Sequence, residues 1–534
     1  MQLLSSSSIC SRFICQFIRR NYQDSFNSLF VAIALVTIPL TTTLPANAQI
    51  NSQSAPNRIC PAQLQQEVEK IAQAPKLKPS RIGVFVQTSE AKPQVLANLD
   101  GDRYFIPASN AKLFTTAIAL KVLGADYRFA TKLMSSNLPN PQGTLEHGLW
   151  LMGSGDPSFN SETGLKSLVT QLKNKGVKQI NGGIWTKTSR KGDELVDSWE
   201  WKDLQEYYAA KVSPFTINEN ALNWTIRPNK IGQPAIFEWE NPALANDWIV
   251  ENKSYTASDD STLYMLPDNV LSVVRPYGQK TLIISGGISD KAEPEEGSVA
   301  IPDPKANFLR LLRKELDAQG IKVNPFTNSS PKLPPTQDLA IAYSPKLSEL
   351  VTTTNKDSNN LYAELLLRAL GEKFYANLLQ KTLGDRFHEA VNLNGVSGGI
   401  ASIKEYLASV HIDPSTVVLA DGSGLSRHNL TTPRAIAQIL QLVASDRNFR
   451  KSLPIANVDG TLANRFKNTV GKGVIQAKTG TFTGAIALSG YANPQNYPEV
   501  IFSIMINNST LSSRELQQST DAIAQLLPRL ENCQ

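Results

Sequence analysis

Apolar residues recur along the chain with two different periods, and each change of period marks an element. Between Pro61 and Ala74, Leu64, Val68 and Ile71 fall three and four apart, which predicts a helix that opens on proline and buries one face. The compact apolar runs Ile82 to Gln87 and Val95 to Leu99 predict two strands joined by a polar turn. A second helix, apolar nearly all round, is predicted over Asn110 to Leu123. Near the other end, Gly473 to Lys478, Gly484 to Tyr491 and Val500 to Ile506 predict three strands on short turns. A Ser512/Glu515 capping box then opens a last helix that runs to about Leu530. Both ends of the chain therefore supply helix and antiparallel strand.

The stretch from 126 to 337 has another texture, with short strand-like pieces, frequent Asn and Pro, and scattered tryptophans, among them Trp150, Trp185, Trp199, Trp201, Trp224 and Trp248. Core packing is the first use for these rings, a carbohydrate-binding face the second. Proline-rich connectors at 293 to 304 and 324 to 337 mark boundaries. From Asp338 the pattern is helical again, through Leu347 to Thr353 and Asn360 to Leu370. No internal repeat is present.

Residues 1 to 48 stand apart. Arg12, Arg19 and Arg20 precede an apolar stretch from Phe30 to Ile38, and Ala46-Asn47-Ala48 precedes Gln49. This predicts a cleaved signal peptide, with an apolar core too short for a permanent span, and hence an exported, soluble chain in the periplasm or cell envelope. The net charge of +6 falls to +4 when three Arg and one Asp leave with the leader. No Lys/Arg run with interleaved aromatics exists, which argues against nucleic acid as a partner. Cys10 and Cys15 also leave, so Cys60 and Cys533 remain as a candidate disulfide in an oxidising compartment. If both chain ends build one domain and its first and last helices pack antiparallel, the two cysteines meet; two unpaired thiols near the termini are the alternative.

Three S-x-x-K pairs occur, Ser89/Lys92, Ser109/Lys112 and Ser329/Lys332, but only Ser109/Lys112 opens an apolar helix. There, residues three apart share a face and the free N–H groups of the first turn favour developing negative charge. As pure structure the pair would be a cap and a solvated charge. Ser358-Asn359-Asn360 lies between two helical runs, and Lys478-Thr479-Gly480-Thr481, the one K-T-G in the chain, ends a strand-like run. Together, and in this order, they match the S-x-x-K, S-D-N, K-T-G set of penicillin-interacting serine enzymes, with Asn359 where that set has Asp.

With these motifs the chain resembles the D-alanyl-D-alanine carboxypeptidases of the class C low-molecular-mass penicillin-binding proteins, the penicillin-binding protein 4-like serine peptidases. The stretches "MGSGDPSF" (152 to 159), "YYAAKVSPFTINEN" (207 to 220) and "DGSGLSRHNLTTP" (421 to 433) carry the same likeness. The long gap between Lys112 and Ser358 fits that family's large insertion. The resemblance implies an α+β fold. A split β-lactamase/transpeptidase-like catalytic domain (49–125 and 338–534) would hold two mostly β inserted domains (126–195 with 285–337, and 196–284). It also implies the chemistry: Ser109 as nucleophile, Lys112 as base and Ser358 as proton donor to the leaving D-alanine. Asn360 would bind the substrate amide, and Lys478, Thr479, Gly480 and Thr481 would hold its carboxylate and line the oxyanion site. Lys478 is expected to help depress Lys112. Substrates would be peptidoglycan stem peptides, with D,D-endopeptidase activity open, and β-lactams would acylate the enzyme; no cofactor is implied.

Two other readings use different residues. Gly395-Val396-Ser397-Gly398-Gly399 fits the G-x-S-x-G elbow of an esterase, but the stretch before it is no convincing strand, so it is read as a loop before an Ile400 to Leu407 helix. The four histidines (His147, His388, His411, His428) are scattered with no H-E-x-x-H, so no metal is called for. A wall-binding protein that lost catalysis would have lost Ser109, Lys112 or Lys478, and all three are present.

Overall fold

The computed structural model describes residues 58–188, 195–261, 269–324, 333–383 and 395–533. The leader, the Ser329/Lys332 pair and His388 lie outside them.

Helix α1 (Pro61–Ala72) is followed by strands β1 (Arg81–Thr88) and β2 (Val95–Leu99), and then by α2 (Lys112–Leu123). After the long middle come α3 (Leu347–Lys356), α4 (Asn360–Leu383), α5 (Gly395–Ser409) and α6 (Pro433–Leu442). Strands β3 (Ile475–Phe482), β4 (Ala485–Ala492) and β5 (Val500–Asn507) and helix α7 (Ser513–Ala524) complete the chain. The five strands form one antiparallel sheet in the order β3-β4-β5-β1-β2. All eight residues of β4 and of β5 are buried, because both faces of the sheet are covered. Successive side chains alternate between faces. Val84 and Val86 pack with Leu64 and Val68 of α1 and Leu516 and Ile523 of α7. Phe85 between them packs instead with the helical half around α2. Helix α2 is apolar all round because it is the centre of that half: every residue from Lys112 to Leu120 is buried.

At the termini, Ile59 bridges Leu530, Arg58 pairs with Glu531 at 3.3 Å, and Cys60 and Cys533 form a disulfide with their Cα atoms 5.5 Å apart.

Several local expectations change: residues 338–343 are strand rather than the start of a helical stretch, and α7 ends at Ala524, short of Leu530. Strand β3 does not stop at Lys478 but runs through the K-T-G to Phe482, because every residue from Ile475 to Phe482 pairs with β4. The glycine-rich stretch 395–399 is not a loop but the start of α5, since its glycines let α5 touch the α4 backbone. A Cβ on Gly399 would lie 2.2 Å from the Leu367 carbonyl oxygen, and one on Gly371 would lie 2.2 Å from that of Gly395. Ser397 is an exposed residue in the first turn of this helix, which overturns the elbow and with it the esterase alternative.

The middle of the chain builds separate sheets. Strands 130–135, 149–152, 184–187 and 337–343 form one, 221–227, 236–239 and 295–300 a second, and 249–257, 272–274 and 281–289 a third. The expected breaks at 284/285 and 337/338 fall inside the strands Thr281–Ser289 and Gln337–Tyr343. Trp199 and Trp224 are buried and Trp150 lies beside Trp185, ring centroids 6.2 Å apart and tilted by 35°, whereas Trp201 is exposed. Among the described residues no helix is long and apolar enough to cross a membrane.

Candidate active site

Ser109 sits in a 3-10 turn, Ala108–Ala111, that leads straight into α2. The turn is entered through Ala108 at φ +47°, a left-handed conformation that alanine adopts at a cost of order 1–3 kcal/mol. Three residues on, Lys112 lies on the same helical face and is fully buried. Its Nζ is 2.9 Å from Ser109 Oγ, 2.6 Å from Asn360 Oδ1 and 2.6 Å from the Ser423 carbonyl oxygen. A neutral amine has two N–H bonds and one lone pair. The two carbonyl oxygens can only accept, so they take the two hydrogens, and the lone pair is left for the Ser109 hydroxyl. Burial pulls the Lys112 pKa from the usual 10.5 to about 7, against the opposing pull of the Asp421 and Glu364 carboxylates. Burial, rather than a second cation, leads this depression.

The second motif fills the turn between α3 and α4. Ser358 has φ +58°, again a strained non-glycine residue. Its neighbours tie it to the centre from both sides: Asn360 Oδ1 accepts from Lys112, and Asp357 interacts electrostatically with Lys478. Asn360 Nδ2 donates at 2.8 Å to the Tyr208 carbonyl, which fixes the amide with its oxygen toward Lys112. Asn359 donates at 2.8 Å to Glu219, whose carboxyl is raised by burial. An aspartate at 359 would set two carboxylates against each other, which explains this departure from the motif.

The third motif lies on β3, the edge strand of the sheet. The outer edge of β3 is occupied at its start, where Ala477 N–H donates to the Pro454 carbonyl at 3.0 Å. Strand periodicity puts the Thr479 and Thr481 N–H groups on that same edge. Gly480 brings the strand against the serine: a Cβ there would lie 2.7 Å from the Pro107 carbonyl oxygen and 3.0 Å from Ser109 N. Lys478 is fully buried, with Nζ 3.0 Å from the Thr479 carbonyl oxygen. Burial first and repulsion by Lys112 second push it well below the usual lysine range, with Asp357 opposing. Thr479 Oγ1 hydrogen-bonds Thr461 at 2.9 Å.

Ser109, Lys112, Asn360 and Lys478 thus share one centre, with Gly480 against Ser109. Ser89, by contrast, follows the far end of β1, with its N–H on the Glu499 carbonyl. Sequence reasoning gave no role to Ser423, Asp421, Glu364 or the strap 195–211, although the stretches 207–220 and 421–433 carried the family likeness. Asp421 accepts from Gly424 N–H, Ser426 N–H and Asn429 Nδ2, and from Trp199 Nε1 at 3.0 Å, so the strap braces the site at Trp199 and again at Tyr208. A main-chain carbonyl has no signature in a sequence. Glu364 and Arg368 did leave one, as two charges four apart inside the apolar run "NLYAELLLRAL".

Residues 64–530 match the model of the D-Ala-D-Ala carboxypeptidase 3 (S13) family. The chain belongs to this family. It is 32% identical over 497 residues to a D-alanyl-D-alanine carboxypeptidase of Actinomadura sp. (strain R39), covering 89% of this chain and 86% of that one. To the D-alanyl-D-alanine carboxypeptidase DacB of Haemophilus influenzae it is 27% identical, covering 85% and 91%. The crystal structure of penicillin binding protein 4 (dacB) from Haemophilus influenzae superposes with a TM-score of 0.69 at 25% identity, over 86% of this chain and 98% of that one. The same protein complexed with a β-lactam gives 0.66. The S13 chain described here is accordingly a serine-type D-Ala-D-Ala carboxypeptidase with an α+β, transpeptidase-like fold.

Proposed function

We propose that this S13 enzyme cleaves the terminal D-Ala-D-Ala bond of peptidoglycan stem peptides through an acyl-enzyme on Ser109. The supporting observation is the three-way contact of Lys112 Nζ, which leaves its lone pair to the Ser109 hydroxyl. Lys112 takes the hydroxyl proton as Oγ attacks the carbonyl carbon, since serine is a weak nucleophile without an adjacent base. The oxyanion is stabilised by the N–H groups of Ser109 and Thr481, and losing one such donor typically costs about 10² to 10³ in rate. Ser358 passes a proton to the departing D-alanine and Asn360 binds the substrate amide. Lys478, with Thr479 and Thr481, holds the terminal carboxylate, an anion whose arrival favours the charged form of that lysine. Water then releases the acyl group. Internal cross-links are hydrolysed by the same steps as a D,D-endopeptidase, and β-lactams acylate Ser109.

We assign residues near both termini, including 344–533, to the catalytic unit and the intervening sheets to inserted units. The leader 1–48 directs export to the periplasm or cell envelope. The decisive experiment is labelling of the purified mature chain by fluorescent penicillin. Ser109→Ala abolishes labelling while Ser89→Ala, Ser329→Ala and Ser397→Ala retain it; a label that survives in Ser109→Ala overturns the mechanism.

A further inference from the structure

We propose that Glu364 is a positioning residue for the reaction: its carboxylate holds the 422–423 main chain so that the Ser423 carbonyl aims the Lys112 amine at Ser109. The inference rests on the reading of Lys112 as the base and adds to it the group that sets the base's orientation.

Glu364 lies in α4 four residues after Asn360 and four before Arg368, so the three side chains share one face of the helix. It is fully buried. One oxygen, Oε1, accepts both the Gly422 N–H at 2.9 Å and the Ser423 N–H at 2.8 Å. The other, Oε2, pairs with Arg368 Nη1 at 3.0 Å. The peptide so gripped is further held where the Gly422 carbonyl accepts from Thr115 Oγ1 at 2.8 Å. The next carbonyl along, Ser423 O, receives a Lys112 N–H. Helix α4 thus supplies the first acceptor for Lys112 directly, through Asn360, and the second through Glu364 and Ser423.

The division of labour around this loop is complete. Asp421 takes the Gly424 and Ser426 N–H groups, while those of Gly422 and Ser423 go to Glu364. A buried carboxylate is expensive even when paired, and a fold that needed only packing here would be served by an apolar side chain. Removing Glu364 would orphan two buried N–H groups, release the peptide to rotate and withdraw one of the two acceptors that aim the lone pair.

The charged groups facing this centre are Glu364 and Arg368 from α4, Asp421 from the 421–426 loop, Lys478 from β3 and Asp357 from the turn before α4, the last acting on Lys478. The Glu364 carboxylate favours the protonated form of Lys112, so loss of that charge moves the acid limb of the acylation profile to lower pH.

The test is the second-order rate of acylation by benzylpenicillin as a function of pH. It is expressed per active site by titrating the acylated fraction, with circular dichroism and thermal melts to establish folding. Glu364→Gln keeps an oxygen for the two N–H groups and removes the charge; its acid limb moves to lower pH. Glu364→Asp keeps the charge but retracts it from the loop; its limb stays in place while the rate per site falls about tenfold or more, part of the 10² to 10⁴ that a positioned base contributes. Wild-type rate and pH limb per site in the folded variants overturn the proposal, even if the titratable fraction drops, since that pattern is a folding effect. If Glu364→Gln does not fold, Glu364→Asp decides by its rate per site alone. Failure of the base assignment reads differently: Lys112→Met would then acylate at the wild-type rate, whatever the Glu364 variants do.

Discussion

A lysine that titrates near pH 7 in the middle of a protein is an unusual object, and its consequences are measurable one residue at a time. On the proposed mechanism Lys112 takes the proton only when deprotonated, so acylation should rise with pH along a limb centred at about 7. A stopped-flow profile with a chromogenic β-lactam checks this; a flat profile from pH 5 to 9 contradicts it. The same depression enters stability. Between about 7 and 10.5 the unfolded chain carries a proton on this lysine that the folded chain lacks, so Lys112 makes stability rise with pH across that window. Asn359 offers a second residue-scale test. Asn359→Asp sets a carboxylate against Glu219 and should destabilise by up to about 1 kcal/mol at neutral pH, less in acid as the pair takes up a proton. Adding Glu219→Gln should restore most of the loss in a urea melt, because the glutamine amide can donate where the carboxylate could not.

Among the elements, β3 and α2 meet at a backbone contact. Gly480→Ala would push a methyl group into the Pro107 carbonyl and toward Ser109 N, neither of which is a side chain that can swing aside. We expect acylation to fall by about 10² or more, as for loss of an oxyanion donor, with only a small change in thermal midpoint, since the strand remains paired to β4. A normal rate in this variant would show that the strand can retreat without consequence. Elements were legible where local pattern and tertiary demand agree. Helix α1, strands β1 and β2 and the Ser512/Glu515 box of α7 are such places: α1 buries the face its spacing states, β1 and β2 are the short apolar runs of a covered sheet, and Ser512 caps α7. They were illegible where tertiary contact overrides propensity. Glycines 395, 398 and 399 read as a loop, since glycine disfavours helix by about 1 kcal/mol per residue relative to alanine, yet close approach of α4 and α5 requires them. Likewise Ser109, Lys112 and Lys478 were legible as side chains in motifs, whereas the carbonyls of Ser423 and Tyr208 were not, being defined only once the chain has folded.

At the scale of the whole molecule, the disulfide joins residues 473 positions apart. In the chain-entropy model a loop of this length stabilises by more than about 4.7 kcal/mol, with smaller values common in practice. Cys60→Ser with Cys533→Ser should therefore lower the thermal midpoint and leave acylation per site unchanged, because the bridge lies among the terminal contacts of Ile59 with Leu530 and not at Lys112. Mass spectrometry of a non-reduced digest should recover the linked peptides. The sheet beneath these termini also sets a schedule. Strand β1 pairs along its whole length with β5, more than 400 residues later, and the edge strand that touches Ser109 is itself encoded in the last sixth of the sequence. In chain order Ser109 and Lys112 come early, and Lys478 and Gly480 late. Until β3 is in place, Ser109 has no Lys478 opposite it and no strand against its back. On the proposed mechanism hydrolytic competence therefore requires the last sixth of the chain, and a truncated chain is inert toward its own substrate however well its first half has folded.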